Sequence, residues 1–202
     1  MRQLTLLVAF LSMVLSGACA QADGEHQADK YNGPRCIAEF CFDVDSIRQL
    51  MTEAELIKRY GEGYSGWDKF SFYCYEVPEQ RAFVRFRPYH GEQKQIVDVF
   101  VSDVPNCAAA KASANIFKSL ATAEGLRIGD AKEKVMKLYG KPLATTEASS
   151  VEKIGITHEE AVRSAPFGDT VLKYGSLNDG LLHAEIYLRK EKVSAMLISV
   201  SP

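Results

Sequence analysis

The chain has 202 residues, of which 47% are hydrophobic and 25% charged, with a formal net charge of −2. That is enough for one good core or two small ones. The near balance of charge gives no reason to expect nucleic acid or an anionic membrane surface as the main partner.

The N-terminal stretch reads as a secretory signal. Arg2 is a minimal positive region, and Leu4 to Leu15 is an apolar run of twelve, too short to span a bilayer. Ala18-Cys19-Ala20 fits the small-x-small cleavage rule, so residues 1–20 are expected to be removed and the mature chain to be exported, in the periplasm. A second reading is a lipoprotein signal in which Cys19 is acylated, which anchors the protein to the outer membrane. No later stretch is long and apolar enough to cross a membrane.

Four cysteines remain: Cys36, Cys41, Cys74 and Cys107. In an exported chain an even count reads as two disulfides. Three connectivities exist, and the favoured one is Cys36–Cys41 as a local staple with Cys74–Cys107. His26, His90, His158 and His183 are isolated along the chain, so neither a metal nor a cofactor is expected.

Residues 21–34 are polar and read as a flexible leader. Cys36 to Phe42 is short and apolar, a turn or an edge strand. Residues 50–61 carry Thr52 and Glu55 at capping-box spacing, with Leu56 and Tyr60 on one face and Gly61 at the end, and read as a helix. Glu62 to Asp68 reads as a loop carrying Tyr64 and Trp67. Three strands follow. In Phe70–Glu76 alternation separates Phe70, Phe72 and Cys74 from Ser71, Tyr73 and Tyr75. In Arg81–Arg87 it separates Ala82, Val84 and Phe86 from Phe83, Arg85 and Arg87. In Ile96–Ser102 it separates Val97, Val99 and Val101 from Asp98 and Phe100.

Residues 107–124 are alanine-rich and read as a linker helix. Residues 126–142 hold the strongest local signal: Asp130 as N-cap, Glu133 closing a capping box, Val135, Leu138 and Tyr139 on one face, Gly140 as stop and Pro142 beyond. The stretch 143–168 reads as an insertion containing another capping box at Thr157–Glu160. Strands resume at Thr170–Tyr174, at Leu181–Arg189 with Leu182, Ala184, Ile186 and Leu188 inward, and at Val193–Val200 after a Lys190-Glu191-Lys192 turn.

The repeated pattern reads as a tandem duplication. The expected class is α+β: two tandem helix-plus-antiparallel-meander units, 35–106 and 125–202, joined by the alanine-rich helix. Gly129-Asp130, Val135 and Tyr139-Gly140-Lys141-Pro142, followed by a meander with a lysine turn, resemble the small exported SmpA/OmlA (BamE) lipoprotein domains. The tandem arrangement also resembles the β-lactamase inhibitor protein fold. The resemblance implies binding roles, in outer-membrane protein assembly or in protein inhibition, and carries over no catalytic residue.

Fourteen aromatic residues lie between Tyr31 and Phe100 and five between Phe117 and the end. Tyr73, Tyr75, Phe83, Arg85 and Arg87, with Trp67 nearby, are therefore the candidate protein-binding face, because Tyr and Arg combine contact area with directed hydrogen bonds. The plainer reading is that this face is covered by the rest of the chain. No G-x-S-x-G elbow, phosphate loop or dinucleotide fingerprint is present. The expected function is a non-catalytic, protein-binding module of the cell envelope whose partner is another envelope or secreted protein. The alternatives are an inhibitor of a secreted or periplasmic hydrolase, and an enzyme without a readable motif.

Overall fold

The computed structural model describes residues 31–42, 50–67, 70–89, 91–92, 94–105, 111–112, 117–147, 167–175 and 182–201. The expected signal segment with Cys19, the expected leader as far as residue 30, Cys107 and the expected capping box at Thr157–Glu160 lie outside the described residues. Eleven strands and two short helices follow in the order β1 (Cys36–Ile37), β2 (Phe40–Cys41), α1 (Glu53–Tyr60), β3 (Tyr64–Trp67), β4 (Phe70–Val77), β5 (Ala82–Pro88), β6 (Ile96–Ser102), β7 (Lys111–Ala112), α2 (Lys132–Tyr139), β8 (Ala144–Glu147), β9 (Thr170–Gly175), β10 (Leu182–Arg189) and β11 (Lys192–Val200).

The expected pair of helix-plus-meander units is overturned. Nine strands form one sheet in the order β3-β4-β5-β6-β11-β10-β9-β8, with β7 added in parallel to β4. All other pairs in it are antiparallel. The join is β6 against β11, with Val101 opposite Met196 and Val99 opposite Ile198. Its cause is visible in burial: every residue of β6, and all of β11 after Lys192, is buried. Strands covered on both faces read as nearly continuous apolar runs and belong in the middle of a sheet. One core cluster accordingly runs under both halves, from Leu56 and Phe86 to Ile186 and Val135.

The linker helix is also absent where the chain is described. Lys111–Ala112 is a strand, and 117–124 contains no helix. Alanine favours helix by at most a few tenths of a kcal/mol over most residues, about the size a tertiary contact overrides. Both ends of the sheet are four-residue strands that sequence had left as loop or insertion, β3 on β4 and β8 on β9.

The helices lie on one face of the sheet, here the first face. α1 begins with the expected capping box: Thr52 accepts from the Glu55 amide, and the Glu55 carboxylate accepts from the Thr52 amide at 2.8 Å. α2 does not. Its N-cap is Ala131, without a side-chain cap. The Asp130 carboxylate instead accepts from the Arg127 amide at 2.7 Å and pairs with Lys134 at 2.8 Å. The entry of α2 is held by backbone bonds to the β10–β11 turn, Lys132 N to Glu191 O at 2.9 Å and Val193 N to Asp130 O at 2.8 Å. A β1–β2 hairpin, stapled by the expected Cys36–Cys41 disulfide, brings Ile37 and Phe40 into the core. There Phe40, Tyr60, Phe86 and Phe117 form one ring cluster.

Candidate functional site

Alternation along the strands gives the sheet a second face, away from the helices. The register across β5-β6-β11-β10 places Arg87 opposite Asp98, Asp98 opposite Ser199 and Ser199 opposite His183. The next row holds Cys74, Arg85, Phe100, Leu197, Glu185 and Lys173. A third row holds Glu76, Phe83, Ser102, Ala195, Tyr187 and Val171. The centre of this face is covered: Phe100, Leu197, Ala195, Tyr187 and Val171 are buried, and the Phe167 ring closes over Phe100 and Tyr187. Phe72, Phe83, Arg87, His183 and Lys173 surround that centre and are only half-buried.

Charges on this face are arranged in pairs. Arg87 Nε donates to Asp98 Oδ2 at 2.7 Å, and Arg87 Nη2 approaches Ser199 Oγ at 3.5 Å. Lys173 Nζ lies 3.6 Å from Glu185 Oε1, while Tyr187 donates to Glu185 Oε2 at 2.6 Å. Arg189 pairs with Asp103 at 2.9 Å. Arg85 differs. Its guanidinium is 3% exposed, 5.0 Å from the ring centroids of both Phe72 and Phe100, and takes part in no ion pair among the described residues. Among the described residues its Nε finds no hydrogen-bond partner, and neither does the neighbouring Asp98 Oδ1. Burial pulls the Arg85 pKa below the usual value, and the Asp98 charge opposes that pull. A buried ion left without a partner costs about 3–5 kcal/mol. Each ring contact returns about 0.5–2 kcal/mol. Two such contacts return about 1–4 kcal/mol, comparable to the cost of keeping this cation.

His183 is likewise shifted down, first by burial, with Arg87 and Lys173 adding to the shift and Glu185 and Asp98 opposing it. Asp98, Ser199 and His183 are residue types of a hydrolytic triad, but their order is wrong for one. Ser199 stands between the other two, so Asp98 and His183 are two strands, roughly 10 Å, apart. A relay needs the imidazole in the middle, bonded to both hydroxyl and carboxylate.

The sequence-derived face is thus divided between the two sides of the sheet. Phe83, Arg85 and Arg87 are on the second face. Tyr73 and Tyr75 are on the first, buried in the core, where Tyr73 bonds Glu53 and Tyr75 donates to Gly61 O at 2.9 Å. Phe72 lies by Arg85, on the second face. The backbone of Trp67 is placed opposite Phe70 at the sheet's edge. Cys36 and Cys41 are bonded to each other, and Cys74 is in a disulfide, with its expected partner Cys107 outside the described residues. Sequence reasoning missed that Asp98, Ser199, His183, Glu185 and Lys173 share one sheet face with Arg85. The alternation Leu182-His183-Ala184-Glu185-Ile186-Tyr187 already set two of these side chains, His183 and Glu185, outward. What it lacked was the β6–β11 join that puts the residues of β9, β10 and β11 on one face with β5.

A hollow of about 750 Å3 opens elsewhere, between α1 and the β1–β2 hairpin, over Phe40, Phe42, Leu50 and Ile96. Among the described residues no three His, Cys, Asp or Glu side chains converge as a metal would require, and no helix is long and apolar enough to cross a membrane. No family model, no curated protein and no solved structure matches this chain. These comparisons neither support nor oppose the resemblance to the BamE-like and inhibitor folds.

Proposed function

We propose that the chain is an exported, non-catalytic module of the cell envelope that binds another protein through the half-open part of the second sheet face. The carrying observation is the composition of that part. Half-buried Phe72, Phe83, Arg87, His183 and Lys173 ring a covered apolar centre. Aromatic and arginine side chains around a dry centre are what protein interfaces enrich. The disulfides at Cys36–Cys41 and Cys74 support the exported reading, because such bonds persist in oxidising compartments.

The test is site-specific photocross-linking in the producing cells. A photoreactive phenylalanine analogue replaces Phe83 in one variant and Met136 in another; Met136 is exposed on α2, on the opposite side of the sheet. A discrete protein adduct from position 83 and none from position 136 is the expected result. An adduct from position 136 alone moves the interface to the helical side. Absence of adducts from both sinks the docking reading.

A further inference from the structure

Among the described residues four cations stand on the second face: Arg87, Lys173 and Arg189 each hold a carboxylate, and Arg85 holds none. The acids on the face offer it no ready partner. Asp98 and Asp103 each pair through one oxygen with Arg87 and Arg189, and Glu185 pairs with Lys173; among the described residues neither these acids nor Glu76, opposite Phe83, form an ion pair with Arg85. Arg85 is nonetheless fixed in place, flanked by Phe72 and Phe100 and held beside the disulfide-bonded Cys74. Its neighbours on this face, Phe72, Phe83 and Arg87, are only half-buried.

We propose that Arg85 is a recognition site for one carboxylate, carried on an aspartate or glutamate side chain of the docked protein. The inference rests on the docking reading above and names what the partner must present. A planar guanidinium fork takes a carboxylate through two parallel N–H bonds, and the unpartnered Nε supplies one edge of that fork. A single negative charge matches the single unpaired cation. A phosphate dianion would bring a second charge close to Asp98, whose Oδ1 already lacks a donor. The flanking rings suit the short apolar stem of an acidic side chain.

The experiment follows the Arg85 Nε–H resonance of the full mature chain during titration at constant ionic strength. The probes are N-acetyl-aspartate methylamide, its neutral asparagine counterpart and inorganic phosphate. A single charge-assisted contact is weak, so the titration runs to about 0.1 M. Two further proteins, Arg85→Met and Arg85→Lys, are shown to be folded by circular dichroism and followed by Tm. The expected result is a saturable Nε–H shift and a raised Tm with the aspartate probe, little response to asparagine or phosphate, loss of the Tm response in Arg85→Met and a weakened one in Arg85→Lys. An equal response to the asparagine probe, a larger one to phosphate, a Tm response kept in Arg85→Met, or no Nε–H shift overturns the proposal. The cross-link from position 83 is read separately. A cross-link that persists in the Arg85→Met background leaves docking intact and removes Arg85 from it.

Discussion

The two faces of this sheet are made by the same strands, yet they bury different chemistry. On the first face the polar atoms are phenol hydroxyls at the tips of otherwise apolar side chains. Tyr60 reaches Glu39, Tyr139 lies 2.6 Å from Thr122 Oγ1 and 2.7 Å from Glu124, and Tyr174 donates to Gly140 O at 3.2 Å. Each ring fills core volume while its hydroxyl escapes to a helix end or a loop. On the second face the polar groups are whole charges, paired across neighbouring strands, with Arg85 left over. Satisfying a phenol needs one acceptor within reach. Satisfying a buried ion needs a counter-charge, and one of these ions has none within the described chain. In the proposed reading the first face serves folding and the second serves recognition.

The largest test of that contrast is a pair of aromatic truncations on one strand. Phe86 is fully buried on the first face, its ring centroid 4.4 Å from that of Phe40. Phe86→Ala is expected to cost about 3–5 kcal/mol. Phe83, three residues earlier and on the second face, is half-buried, and Phe83→Ala should cost about 1 kcal/mol or less. Urea denaturation of both variants measures the difference. Equal costs would mean that the second face is as much a core as the first.

The faces should also fail at opposite ends of the pH scale. Burial raises the pKa of Tyr75 and Tyr174 to about 12 and pushes Tyr31, Tyr60 and Tyr139 upward too. The unfolded chain then loses these protons first, so the stability they contribute is present below pH 10 and declines as pH rises above it. Tyr187, on the second face, is raised as well and adds to that loss. His183 works the other way. Its folded pKa is depressed mainly by burial, so the unfolded state binds a proton first, and stability present above about pH 6.5 is lost as pH falls below it. Stability measured from pH 5 to 8 should rise with pH, and His183→Gln should flatten that slope. An unchanged slope would exclude His183 as its source.

The same contrast explains what could be read from sequence. The Thr52–Glu55 box and the Cys36–Cys41 staple are local, and both form as expected. In β10 the alternation is unambiguous, because Leu182, Ala184, Ile186 and Leu188 face His183, Glu185, Tyr187 and Arg189 as apolar against polar. In β4 it is not: Phe70, Phe72 and Cys74 against Tyr73 and Tyr75 gives two aromatic sets. The choice between them falls to the tertiary partners, Glu53 and Gly61 O, that receive the tyrosine hydroxyls. The β6–β11 join pairs residues about a hundred positions apart, which no local spacing encodes. The face that Arg85 shares with Leu197, Glu185 and Tyr187 exists only through that join.

The smallest effect tests the turn on which α2 rests. Lys190 and Glu191 form a two-residue hairpin loop between Arg189 and Lys192, with φ of 50° and 60°. Two consecutive positive φ values are the geometry that Asn-Gly suits and side-chain-bearing residues resist. The turn is kept without glycine because its backbone serves two elements: Glu191 O receives the Lys132 amide at the start of α2, and the loop closes β10 onto β11. Glu191→Gly removes the side chain at one strained position and also the exposed Lys132–Glu191 ion pair. Relief of the left-handed strain is about 1 kcal/mol, and a surface pair returns a few tenths. The variant should therefore gain roughly 0.5 kcal/mol, with a Tm higher by a few degrees at most. A loss instead would mean that the Lys132–Glu191 pair, and not the backbone bond, fixes the entry of α2.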